Sequence, residues 1–173
     1  MQNPKLKWTL TILTIIIMIV IFLLSSKPGT ESREDSNFFS LRLVSKVTQD
    51  YDDLTEWQQF RAEENLDELI RKLAHVAEFA GLAFFIRLTL ESWFGPSRKT
   101  PKSKKLTLQA LLGGFLYACS DEIHQIFVPG RSASLRDILI DTSGVILGVL
   151  FAVLILYLIY RKLNKSAPVA PVP

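Results

Sequence analysis

The chain has 173 residues, 49% of them hydrophobic, and a formal net charge of +3. Its apolar residues come in uncharged blocks with no polar face, which excludes a soluble helical domain and points to lipid. Its basic residues flank those blocks, where membrane topology accounts for them and nucleic acid is not needed as a partner. The single Cys119 excludes a disulfide framework and a cysteine metal site, and suits a small buried hydrophobe.

The first block, Trp8 to Leu24, carries no charge and follows a short basic start with Lys5 and Lys7. About 20 such residues cross the roughly 30 Å hydrocarbon core, so this is a first span over 8–24. A cleaved signal peptide is the rival reading, because Ser25-Ser26 offers small residues, although no Ala-x-Ala-like site is present. Residues 25–68 form a polar segment with eleven acidic residues, expected to lie outside the cytoplasm. Within it Phe38, Leu41, Val44 and Val47 recur every third residue, with Trp57 and Phe60 farther on. That spacing suits short surface helices, and a loosely ordered loop is the alternative.

A second span is expected over 69–93, a third over 106–128 and a fourth over 137–160. The second carries Arg71, Lys72, His75, Glu78 and Arg87; the third is apolar until Cys119 and then reads Ser120-Asp121-Glu122-Ile123-His124-Gln125. The expected fold is therefore all-α, a four-transmembrane-helix bundle, with a disordered Pro-rich tail over 166–173. Basic residues nearly balance across the two sides, but five of them crowd the 95–105 loop. Density in a short loop holds it in the cytoplasm, which places both termini inside a multi-pass cell-membrane protein.

That topology brings ionisable groups to one layer. Lys72, His75 and Glu78 lie near the outer end of the second span, Asp121, Glu122, His124 and Gln125 near that of the third, and Asp137 and Asp141 in the first two turns of the fourth. At about 100° per residue, Arg71, His75 and Glu78 share a face. Asp121, His124 and Gln125 share another, continued by Gly114 and Tyr117. Asp137, Asp141, Gly144 and Gly148 form a third stripe, whose Gly-x-x-x-Gly spacing lets a neighbouring helix approach closely. Between the third and fourth spans, Pro129-Gly130 signals a turn, and Ser134 with Asp137 three residues on has the form of a helix-starting box. Arg131 stands above the acidic layer, where a guanidinium suits carboxylate or phosphate.

Three stretches then look familiar: Arg71-Lys72-Leu73-Ala74-His75-Val76-Ala77-Glu78-Phe79; Ser120-Asp121-Glu122-Ile123-His124-Gln125-Ile126-Phe127-Val128-Pro129-Gly130-Arg131; and Asp137-Ile138-Leu139-Ile140-Asp141-Thr142-Ser143-Gly144. Together they resemble the VanZ-like family, typified by a protein associated with glycopeptide (teicoplanin) resistance. The Asp-Glu-x-His-Gln…Pro-Gly-Arg run is the most specific part. Two positions depart from the family pattern: Asn is more common at the place of Asp141, and Tyr at that of Phe79. The resemblance therefore does not require a negative charge at residue 141. It implies an integral membrane protein of the cell envelope and supplies no reaction. The Asp121–His124 tetrad also has the letters of a helicase box, but no phosphate-binding loop accompanies it.

Three functions stay open for Lys72, His75, Glu78, Asp121, Glu122, His124, Gln125, Arg131, Asp137 and Asp141. Intramembrane ionisable groups are costly and by default functional, so the cluster is expected to bind or modify a lipid-linked or cell-wall component at the outer leaflet. His75, Glu78, Asp121, Glu122 and His124 also offer nitrogen and oxygen ligands to a divalent metal, although no recognised metal spacing is present and no cofactor is expected. The third reading is structural: Lys72, Arg131 and Arg136 neutralise the acids and fix helix packing, without catalysis.

Overall fold

The computed structural model describes residues 3–95 and 104–165. Among these residues there is no strand. Five α-helices, α1 (Pro4–Ser25), α2 (Gly29–Val47), α3 (Glu56–Phe94), α4 (Lys104–Gln125) and α5 (Leu135–Lys165), account for nearly all of them, with a 3-10 turn at Tyr51–Asp53. The cations Arg98, Lys99 and Lys102, and the tail over 166–173, lie outside the described residues.

Local chemistry sets the helix starts. The Asn3 side chain accepts from the Lys5 backbone N–H at 2.9 Å, and Pro4 supplies the pre-set first turn of α1. Thr55 and Gln58 form a full capping box for α3. From there α3 runs unbroken for 39 residues. The second apolar block is thus only the distal part of one rod, whose first turns come from the acidic segment. The other half of that segment is α2, which buries the stripe Ser36, Ser40 and Val44 and packs on α3. Of the every-third apolar set, Val44 alone is buried; Phe38, Leu41 and Val47 face outward.

Three helices are long and apolar enough to cross a membrane: α1 and α5 at mean hydropathy 2.6, and α3 at 1.5. Only 22% of the apolar window of α1 is buried against protein, so Ile12, Ile15, Ile16 and Ile19 present their side chains outward, as a lipid solvent requires. The 22 residues of α4 would reach about 33 Å at 1.5 Å per residue. Its hydropathy is diluted by Gln109 and the Asp121–Gln125 stretch, and it ends at Gln125, three residues before the expected boundary.

The core joins all four long helices: Ile21 from α1, Phe79, Leu82 and Ala83 from α3, Ala110 and Ala118 from α4, Val145 and Val149 from α5. The most extensive contact is between α3 and α5, and the expected glycine stripe makes it. A Cβ at Gly144 would lie 3.1 Å from Val76 Cα, and one at Gly148 would collide with the Ala80 backbone carbonyl. Helix backbones therefore touch where a side chain would hold them apart. A second backbone contact ties the corners together. The Gly29 N–H donates to Pro129 O at 3.0 Å, and Gly130 takes φ +73°, a left-handed conformation open to glycine.

At the α3 C-terminal end a buried polar trio lies within the bundle. Arg87 Nη1 donates to Glu91 Oε2 at 2.8 Å, and Tyr160 Oη donates to Glu91 Oε1 at 3.0 Å. Neither charged side chain has any exposed surface. The i, i+4 spacing of Arg87 and Glu91 is visible in the sequence, but the tyrosine comes from 69 residues away.

Candidate functional site

The ionisable layer lies at the opposite end, where the C-termini of α1 and α4, the N-terminus of α5 and the middle of α3 meet. The α3 stripe forms as its spacing requires: Ile70, Arg71, Ala74, His75 and Glu78 together line a cavity of about 220 Å³. Leu24, Ser25, Phe39 and Arg131 are also on its wall, with Lys27, Ser32 and Ser36. A polar cavity of about 480 Å³ adjoins it, walled by Arg33, Asp67, Lys72, Gln125, Asp137 and Asp141 among others. Ser32, Arg71, His75 and Arg131 line both.

Three groups from three helices come together here: His75, which lines both cavities, Asp141, which lines the polar one, and Asp121 behind them. One ligand atom each of His75, Asp121 and Asp141 lies within 4.8 Å of the others. His75 Nδ1 approaches Asp141 Oδ1 at 3.4 Å, wide of a hydrogen bond. Asp141 is 1% exposed, and neither of its carboxylate oxygens has a hydrogen-bond partner. Asp121 is held more tightly: Ser25 Oγ and Gln125 Nε2 each donate to its Oδ2 at 2.9 Å. Ser25, at the last turn of α1, was not among the sequence candidates. Only its position at the end of an apolar block marks it.

Other candidates take different partners. His124 turns toward α1, where its Nε2 meets Ser26 Oγ at 3.0 Å and its ring lies 4.4 Å from that of Phe22; it lines neither cavity. Glu122 reaches across to α5, and its Oε1 accepts the Ser134 backbone N–H at 2.6 Å. The expected Ser134/Asp137 box is thereby half replaced. Ser134 Oγ does cap, accepting from Arg136 N at 3.1 Å, but the carboxylate that takes the Ser134 N–H comes from α4 rather than from Asp137. Asp137 stays on the wall of the polar cavity.

The cations also depart from the simplest expectation. Arg131 donates from Nε to Lys27 O at 3.0 Å and from Nη2 to Leu24 O at 3.4 Å. Carbonyls at a helix C-terminus lack intrahelical donors and carry the negative end of the dipole, so they compete with carboxylates for the guanidinium. Burial pushes Arg131 below its ordinary pKa, against the opposing pull of Asp121. Lys72 pairs with Glu68, Arg71 Nε sits 3.3 Å from Asp67, and Arg136 is 3.9 Å from Glu68. Among the described residues, no lysine or arginine forms an ion pair with Glu78, Asp121, Glu122 or Asp141.

A family model described as VanZ/LLP1 matches residues 10–158, which is most of the chain. The chain belongs to the VanZ/LLP1 family. No curated protein and no solved structure matches it. The matched region runs from α1 to α5 and contains every side chain of the ionisable layer. Within this VanZ-family fold, the three familiar stretches are the α3 wall of the cavities, the α4 end with its turn, and the first turns of α5.

Proposed function

We propose that this VanZ-family protein binds the headgroup of a lipid-linked cell-wall precursor at the outer leaflet, and through it influences glycopeptide susceptibility. The carrying observation is the pair of adjoining cavities with unlike walls. One has Leu24, Phe39, Ile70 and Ala74; the other has Arg33, Arg71, Lys72, Asp67, Glu68 and Asp137. An amphiphile needs that combination: an apolar slot for the start of its chain, and convergent donors for phosphate and sugar. The proposal includes the topology. All four long helices cross, with α4 the least apolar; both termini are cytoplasmic, and α2 lies at the outer interface with Phe38, Leu41 and Val47 toward lipid.

A purely structural cluster fits part of the layer, since Glu122 caps α5 and His124 packs on α1. It fits Asp141 less well: neither buried oxygen makes a hydrogen bond, and the one cross-helix contact, to His75 Nδ1, is long at 3.4 Å. The test is a complementation series read as teicoplanin susceptibility, with membrane abundance measured by blot. Glu78→Gln, Asp121→Asn and Arg71→Met are expected to abolish the effect at normal abundance, whereas His124→Ala leaves it intact. Full effect in all normally abundant variants overturns the proposal. Loss that tracks abundance alone assigns the cluster to packing. Cysteine labelling that places residues 96–103 outside the cell overturns the topology.

A further inference from the structure

We propose that His75, Asp121 and Asp141 form a binding site for a divalent first-row cation, independently of the lipid reading above. The three residues come from α3, α4 and α5, so no sequence spacing could announce the set. Their donors are one imidazole and two carboxylates, a combination that zinc and its neighbours accept. Ligands about 2.0–2.2 Å from a tetrahedral ion lie about 3.3–3.6 Å from each other. The 3.4 Å between His75 Nδ1 and Asp141 Oδ1 is such an edge, too long for a good hydrogen bond.

Charge balance supports the site from a second direction. Carboxylates removed from water are normally paired, hydrogen-bonded or metal-bound. Asp141 is 1% exposed with neither oxygen hydrogen-bonded and His75, at 3.4 Å, as its ion-pair partner, and Glu78 and Asp121 add further carboxylates to the same layer. Arg131 turns its Nε and Nη2 to Lys27 O, just past the end of α1, and Leu24 O rather than to a carboxylate. Arg71 is engaged with Asp67. A divalent ion at this site would neutralise what these side chains do not.

The surroundings also have the character of an outer shell. Ser25 and Gln125 both donate to Asp121 Oδ2, which fixes the orientation of that carboxylate as outer-shell donors do in metal centres. Three protein ligands leave a coordination position open, and His75 and Asp141 both line the polar cavity. That position faces whatever enters the cavity, water or an anionic group.

The experiment uses the full chain without a polyhistidine tag, purified in detergent, stripped with chelator and titrated with zinc alone. One saturable equivalent per chain is expected. Outer-shell changes alone cost metal sites roughly 10–100-fold in affinity, so His75→Ala and Asp141→Asn are expected to weaken zinc by at least about a hundredfold. His124→Ala, at a residue that lines neither cavity, should bind as the unaltered chain does. Zinc-edge X-ray absorption on the unaltered chain should show a nitrogen and oxygen shell with imidazole scattering. Failure to saturate, undiminished binding in folded His75→Ala and Asp141→Asn, or sulfur in the shell each overturns the site. If neither variant folds, the absorption spectrum decides alone.

Discussion

Replacing Arg87 by Met tests how the buried trio at the α3 C-terminal end contributes to stability. The Arg87–Glu91 contact is 2.8 Å with both side chains fully buried. At an effective dielectric of about 20, that separation gives a gross attraction of about 6 kcal/mol. Burying two ions costs several kcal/mol each, so the intact pair is close to neutral relative to apolar residues of similar size. Removing one partner is different. Glu91 would keep only the Tyr160 hydroxyl of this trio, and breaking a buried pair costs about 3–5 kcal/mol. For a chain of this length that is about 6–20 °C in Tm. The double variant Arg87→Met/Glu91→Leu removes both charges and should return to within about 1–2 kcal/mol of the unaltered chain. Thermal unfolding in detergent, followed by tryptophan fluorescence, reads both, since Trp93 lies close by in α3 and packs edge-on against Trp8 at 5.5 Å. Single-variant costs that simply add in the double variant would refute the reasoning.

Gly148→Ala, which drives a Cβ into the Ala80 carbonyl, should destabilise by about 1–3 kcal/mol, whereas Gly81→Ala meets nothing within 4 Å and should stabilise by up to about 1 kcal/mol in the same melt. Glu122→Ala removes the acceptor of the Ser134 N–H and should cost about 1–3 kcal/mol. Hydrogen exchange would show this as lost protection confined to the first turn of α5, and Glu122→Gln should keep most of it. Glu68 titrates below the ordinary carboxylate value, chiefly through its hydrogen bond from Lys72. Folding thus favours its charged form, so its small contribution is present above the unfolded pKa and is lost as pH falls through the folded one. Carboxyl carbon NMR should find the Glu68 midpoint below the ordinary value in the unaltered chain, and higher in Lys72→Met.

Much of the fold is legible because lipid imposes a coarse rule that hydropathy reads directly. The uncharged block Trp8–Leu24 and the span expected over 137–160 became the bodies of α1 and α5. The first turns of α3 were hidden because an acidic helix and an acidic loop have the same composition; Thr55 and Gln58 were the available signal. Convergence on one layer followed from alternating helix direction, and the stripes through His75, Asp141 and Gly144 from helical period. Partner choice did not follow. Whether Arg131 meets a carboxylate or the carbonyls of α1 depends on where a helix end stops in space. The role of Glu122 depends on an orphan N–H twelve residues away. In the Arg87–Glu91–Tyr160 trio only the i, i+4 pair is a local pattern; nothing announces the tyrosine, which joins mid-chain α3 to α5 from 69 residues away.

The unbroken course of α3 has a mechanical consequence. Its 39 residues make a rod about 58 Å long, nearly twice the roughly 30 Å hydrocarbon thickness. The rod is gripped near Val76 and Ala80, where Gly144 and Gly148 touch its backbone. About that fulcrum its arms are about 33 Å toward Glu56 and about 24 Å toward Phe94. A tilt of about 5° therefore swings the two ends in opposite directions by about 3 Å and about 2 Å. His75 and Glu78 sit beside the fulcrum and barely move, while Asp67 and Glu68, farther out on the cavity wall, travel with the long arm.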